Sequence, residues 1–218
     1  MDIKVNKRTV VAFDLDDTLY NEIDFLKSAY KEIAATIDPT SWKATYALMF
    51  SLHRCGEDAF QFVADKFICE KSELLDRYRN HYPEITPFQG VIELFQSIKS
   101  KGGKICLITD GRSTTQHSKI KALGIQHFLD KIVISEEVGT EKPNTNNFHI
   151  IEEVFKKHNY TYIADNFRKD FISPNKLGWQ TIGLIDNGQN IHFDSHRYMK
   201  NSLKPKEVIL KISDITVI

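Results

Sequence analysis

Four aspartates, a threonine and a lysine carry the chemistry this sequence offers. Asp14 and Asp16 stand two apart in Asp14-Leu15-Asp16-Asp17-Thr18, directly after the apolar run Thr9-Val10-Val11-Ala12-Phe13. Residues two apart in extended backbone project to the same side, so both carboxylates would face one space at the end of a strand. Asp165 follows a second run of that kind, Tyr160-Thr161-Tyr162-Ile163-Ala164, and Thr109 closes a third, Lys104-Ile105-Cys106-Leu107-Ile108. With Asp170 and Lys142 added, four carboxylates face one ammonium. Such a site cannot hold a phosphate dianion without a divalent cation, and oxygen donors of this type suit Mg²⁺. With the cation, the same groups make a phosphoryl-transfer set: one carboxylate to attack, a second to shuttle a proton, a hydroxyl and a lysine to hold oxygens.

The elements that must position these groups are legible around them. Lys131-Ile132-Val133-Ile134 and Gln180-Thr181-Ile182-Gly183-Leu184-Ile185 add two more apolar runs of strand length. Val91, Leu94, Phe95 and Ile98 recur at helical spacing and are closed by Lys101-Gly102-Gly103; Ile120 and Leu123 are closed by Gly124. Strand and helix alternate from residue 88 onward, and the strands are near-continuously apolar. That combination predicts an α/β fold, a Rossmann-like parallel sheet flanked by helices on both faces. Ligands of such sheets bind at the carboxyl ends of the strands, where the polar residues cluster. Residues 22 to 82 break the alternation with four helical stretches, Glu22 to Ile37, Ser41 to Cys55, Glu57 to Phe67 and Ser72 to His81. The expected organisation is a core of residues 1–21 and 83–218 with a small α-helical cap over 22–82.

Composition narrows the function classes. The 218 residues carry 29 Lys+Arg against 29 Asp+Glu, which disfavours a basic nucleic-acid or membrane-surface binder. No apolar run approaches the ~20 residues of a membrane-spanning helix, and residues 1–8 lack a secretory apolar stretch, so a cytoplasmic address is expected. Cys55, Cys69 and Cys106 form no CxxC pair and read as incidental thiols. His192 and His196 lie four apart, but their mixed polar surroundings give no helix to align them on a zinc ion.

Taken together, these residues resemble the haloacid dehalogenase-like hydrolase superfamily in its phosphatase branch. Its first motif, DxDx(T/V), stands as Asp14-Leu15-Asp16-Asp17-Thr18, its second as Thr109 before Asp110-Gly111, its third as Lys142-Pro143 and its fourth as Asp165-Asn166-Phe167-Arg168-Lys169-Asp170. Any one alone is weak; all four in the family's order, with a helical insertion between the first and second, are a strong signal. The resemblance implies that Asp14 is the nucleophile forming an aspartyl-phosphate and that Asp16 is general acid and base. It implies Mg²⁺ held by Asp14, Asp165 and Asp16, the last through its backbone carbonyl. Thr109 and the Gly111 amide would hold phosphate oxygens, Lys142 would steady nucleophile and phosphate, and Asp170 would orient Lys142 or a metal-bound water. Ala164, Thr145 and Ser173-Pro174-Asn175 depart from common family residues, and none removes a reacting atom.

Taken singly, each acidic strand end has a plain alternative as a turn former. Asp17 and Thr18 read first as local hydrogen-bonding residues, with Thr18 fixing Asp14. Trp42, Tyr46, Phe50 and Phe60 read as packing within the insertion, and Arg54, Arg77, Arg79 and Arg112 as solvated charge. A receiver domain also uses acidic residues, a Thr and a Lys, but needs neither a helical insertion nor an acidic pair after the Lys. Dehalogenation of carbon needs no second Asp, and Asp16 is present. A helical lid favours a small phosphomonoester over a phosphoprotein. The expected substrate is a sugar phosphate, with a nucleoside monophosphate or a phosphomutase reaction as alternatives.

Overall fold

The structure, a computed structural model, describes residues 1–200 and 204–218. Six strands form one sheet: β2 (Thr9–Phe13), β3 (Lys104–Thr109), β4 (Lys131–Ile134), β5 (Asn159–Ala164), β6 (Gln180–Leu184) and β7 (Glu207–Ile209). Their order is β4-β3-β2-β5-β6-β7 and every pairing is parallel. A separate parallel pair joins β1 (Asp2–Ile3) to β8 (Thr216–Val217). Side chains alternate between two packed layers. Val11, Phe13, Ile105, Leu107, Ile163 and Ile182 face one, over α5 (Val91–Ser100) and α6 (Ser113–Ala122). Val10, Ala12, Cys106, Ile108, Tyr162 and Ala164 face the other, over α8 (Asn146–Val154). Both faces are covered, which explains strands that read as unbroken apolar runs.

The insertion is four helices: α1 (Glu22–Ile37), α2 (Trp42–Arg54), α3 (Ala59–Phe67) and α4 (Lys71–Asn80). Ile23, Leu26, Tyr30, Ile33, Met49, Val63 and Leu74 form its own apolar cluster. The boundary at residue 22 does not separate the packing, because Phe25 and Ala29, also on α1, belong to the core cluster beneath. One helix thus carries two seams, one toward the insertion and one toward the sheet. No helix among the described residues is long and apolar enough to cross a membrane.

Register brings the chemistry together. Phe13 on the central strand pairs with Leu107 on one side and Ile163 on the other. Asp14 is the next residue on β2, and Thr109 and Asp165 lie two residues beyond their paired positions. The three polar residues therefore emerge side by side at the carboxyl edge of β3, β2 and β5.

Candidate functional site

A polar cavity of about 160 Å³ opens at that edge, lined by Asp14, Asp16, Thr109, Lys142 and Asp165 together with Glu22 at the first turn of the insertion. Lys142 is buried beneath it. Its Nζ lies 2.5 Å from Asp14 Oδ1, 2.8 Å from Asp170 Oδ1 and 3.2 Å from the Tyr162 hydroxyl. Burial opposes the ammonium charge, but Asp14 and Asp170 outweigh it and hold its pKa well above the usual lysine value. Asp14 itself is pushed up to about 7, by burial first and by Asp170 and Asp16 as well, although Lys142 pulls the other way. Asp165 is also raised well above the usual range by burial and by Asp14 and Asp170.

One oxygen from each of Asp14, Asp165 and Asp170 lies within 4.8 Å of the others. Asp165 is fixed from two sides, by the Thr18 hydroxyl at 3.0 Å on Oδ1 and Asn190 Nδ2 at 3.0 Å on Oδ2. Thr18 therefore anchors Asp165 rather than Asp14, the partner expected from chain proximity. Asp170 Oδ2 accepts from the Asn166 amide at 3.2 Å, while its fully buried Oδ1 faces the Lys142 ammonium.

Asp16 faces a different set of partners. Its Oδ1 accepts from the Tyr20 hydroxyl and from Lys119 Nζ at 2.7 Å, and its Oδ2 from Gln116 Nε2 at 2.9 Å. Burial resists its ionisation, yet the Lys119 charge and these hydrogen bonds hold its carboxyl below the usual range. Both oxygens of the Asp16 side chain are thus already engaged by donors, although it lines the same cavity as Asp14 and Asp165. Two carboxylates a pair of residues apart meet opposite environments, one pushed toward the neutral form and one held ionised.

Asp17 takes a left-handed backbone (φ 56°), a conformation that aspartate tolerates better than most residues. Its carboxylate accepts the amides of Glu22 and Ile191, both at 2.8 Å, which ties the strand end to the entry of α1 and to a distant loop. Thr109 Oγ1 accepts from Gln116 Nε2 at 2.6 Å and lies beside the cavity. The Gly111 amide, expected to hold a phosphate oxygen, donates here to Ser135 Oγ at 2.9 Å, Ser135 following the adjacent strand end. In this conformation that amide does not point at a phosphate oxygen.

Several groups lining the site escaped the sequence reading. Glu22 faces the cavity with no hydrogen-bond partner on its carboxyl among the described residues, and that carboxyl is pushed up to about 8 by burial and by Asp16. Lys169 also lines the cavity, 2.5 Å from Asp110, and His192 faces it from the loop after β6. Gln116 and Lys119 lie three apart on one side of α6, next to buried Ile120. A glutamine and a lysine in phase with an apolar helix face are the one signal that could have marked them.

The model of the haloacid dehalogenase-like hydrolases matches residues 11–184. Glyceraldehyde 3-phosphate phosphatase of Methanothermobacter thermautotrophicus is 29% identical over 191 residues, covering 79% of this chain and 83% of that protein. The pyrimidine 5'-nucleotidase YjjG of Escherichia coli is 27% identical over 222 residues, covering 94% and 95%. Among solved structures, a HAD phosphatase from Thermococcus onnurineus superposes with a TM-score of 0.61 at 17% identity, over 94% of this chain and 95% of that one. A dehalogenase superposes equally well, with a TM-score of 0.61 and 17% identity over 96% of both chains. Likeness at that identity speaks to the fold and leaves the reaction to the site.

Proposed function

The chain belongs to the haloacid dehalogenase-like hydrolases, and from that premise we propose that it is a Mg²⁺-dependent phosphatase hydrolysing a small sugar phosphate through an aspartyl-phosphate on Asp14. The observation that carries the reading is the state of Asp14: it directly follows the carboxyl end of the central strand, is paired with Lys142 and faces the cavity. The residues fit Mg²⁺. Asp14 and Asp165 are both pushed toward the neutral form by burial and by their crowding with one another and with Asp170. A cation held by Asp14, Asp165 and the Asp16 carbonyl relieves all of this, and hard oxygen donors are the set that Mg²⁺ takes. When bound, it neutralises phosphate charge and polarises the phosphoryl oxygens.

The chain's own groups supply the remaining steps. Lys142 keeps Asp14 aligned and shares the negative charge of the incoming phosphoryl group. The negative phosphate beside Asp16 favours its protonated form, so Asp16 takes a proton from solvent as substrate binds; an Asp14 carboxylate oxygen then attacks phosphorus in line with the ester oxygen, and Asp16 gives that oxygen the proton as the P–O bond breaks. Asp16, now a carboxylate, removes a proton from the water that attacks the aspartyl-phosphate, returning Asp14 and releasing phosphate. Thr109 is within reach of a phosphoryl oxygen through its hydroxyl.

The sugar phosphate preference rests on the cavity. At about 160 Å³ it is smaller than ordinary ligand pockets of roughly 300–1,000 Å³. Its described lining holds no Phe, Tyr or Trp on which a base could stack, whereas Glu22 offers a carboxyl suited to a sugar hydroxyl. A screen of phosphomonoesters with Mg²⁺, repeated after exhaustive chelation and with Asp14→Asn, tests the reading. The expected outcome is turnover lost on chelation and lost in the folded variant; turnover indifferent to both refutes it.

A further inference from the structure

Lys119 lies on α6 of the core and is only 4% exposed. A buried ammonium needs partners that compensate its lost hydration, and Lys119 has two of different origin. One is Asp16 Oδ1, at 2.7 Å. The other is the face of Phe25 on the first helix of the insertion, with Nζ 4.7 Å from the ring centroid, well inside cation–π range. Phe25 is in turn held edge-on by Tyr78 at 5.2 Å and by His81 at 6.0 Å, where the chain leaves the insertion. Phe25, on the helix by which the chain enters the insertion, is therefore held by the segment through which the chain leaves it. A shift of the insertion relative to the sheet moves Phe25, and Lys119 links Phe25 directly to Asp16.

Resting on the phosphatase reading above, we infer that Lys119 is a positioning residue coupling the seating of the helical insertion to the alignment of Asp16 for protonation of the leaving group. In the step concerned, Asp16 has taken a proton from solvent as the phosphate charge comes to lie beside it, and that carboxyl O–H proton passes to the ester oxygen as the P–O bond breaks and Asp14 gains the phosphoryl group. The carboxylate left on Asp16 is received by Lys119, Tyr20 and Gln116 in the geometry the structure already holds. A lysine that only fills space under the insertion would affect all esters alike. A lysine that aligns the proton donor affects those esters whose leaving group needs the proton.

The experiment compares glycerol phosphate with 4-nitrophenyl phosphate in Mg²⁺, reading kcat/KM because it reports events up to loss of the leaving group. Lys119→Met is expected to lose about 100-fold on the alkyl ester, the lower end of general acid catalysis, and less than about 5-fold on the aryl ester. Phe25→Leu is expected to show the same bias at about 10-fold, and the double variant to lose no more than Lys119→Met alone, since the two act through one contact. Lys119→Arg, which keeps the cation, should recover part of the alkyl activity. Equal losses on both esters, or independent effects that multiply in the double variant, overturn the coupling. Near-UV circular dichroism checks folding, and if Lys119→Met does not fold, the ester bias of Phe25→Leu and Lys119→Arg decides in its place. Parent enzyme that hydrolyses neither ester refutes the phosphatase reading, and the coupling with it.

Discussion

Removing the cation should make the folded protein depend on pH in a direction opposite to ordinary acid denaturation. The Asp14 carboxyl is raised from 3.8 to about 7 in the folded state. A raised carboxyl pKa means that the folded form keeps a proton the unfolded chain has already lost. Stability is therefore fully present below the unfolded value and falls as pH rises through the folded one. For Asp14 alone, the loss from about pH 5 to about pH 8 is on the order of 2.5 kcal/mol, or roughly 5–10 °C in Tm for a chain of this size. Asp17 and Glu22, raised to about 6 and about 8, act in the same direction. Mg²⁺ must displace the Asp14 proton, so at about pH 5 its apparent affinity should be roughly 100-fold weaker than above pH 7. A concentration about 100 times the alkaline Kd should then stabilise by about 2.7 kcal/mol at pH 8 and by less than about 0.5 kcal/mol at pH 5. Thermal unfolding followed by circular dichroism, with chelator and with Mg²⁺ at each pH, measures all four states. Equal Mg²⁺ stabilisation at both pH values, or a metal-free protein that gains stability toward pH 8, would refute the account of the crowded carboxylates.

Two further outcomes are expected. Gly183→Ala would place a Cβ 2.5 Å from Phe167 Cε1 and 2.6 Å from Pro205 Cγ, so it should cost about 1–3 kcal/mol. Because Phe167 lies between Asp165 and Asp170 in the chain, Mg²⁺ affinity by calorimetry should weaken as well; an unchanged Tm would show that the ring moves freely. For Glu22→Gln, kcat/KM on a sugar phosphate should lose the alkaline fall that the parent shows as Glu22 ionises and its charge opposes the phosphate, its carboxyl lying at about 8 before any cation binds. Identical alkaline limbs in the two proteins would remove Glu22 from contact with the leaving group.

The strand ends were legible because their apolar runs stop at polar residues, and parallel register then puts equivalent positions level. Phe13, paired with both Leu107 and Ile163, turns three separated sequence motifs into one edge. The insertion was legible as a stretch with helical spacing and no strand-like run. Strands β1, β7 and β8, of two or three residues, are too short for any periodicity to register. The donors around Asp16 were illegible for a different reason: Gln116 and Lys119 are 100 and 103 residues away, and only the packing of α6 beneath the insertion brings them there. The hydrogen bond from the Gly111 amide to Ser135 Oγ was illegible on the same ground, since local sequence does not show an acceptor 24 residues on.

The partners of each carboxylate separate their capacities more sharply than their spacing does. Asp16 accepts three side-chain donors, Asp165 two, and Asp170 a backbone amide beside its contact with Lys142. Asp14 accepts one, from Lys142 on Oδ1, and its main-chain amide is bound to the Ile163 carbonyl. A carboxylate oxygen whose lone pairs are occupied by donors is a weak nucleophile, since attack requires those bonds to be broken first. Asp14 Oδ2 carries no such cost, and the rigid strand behind it limits the directions in which it can move. Asp16, with both oxygens engaged, is suited instead to giving and recovering a proton at a fixed position, where alignment matters more than a free lone pair. The same fold thus leaves one aspartate available to react and restrains its neighbour two residues away, and two of the three donors that restrain the second come from α6, a helix packed against the insertion.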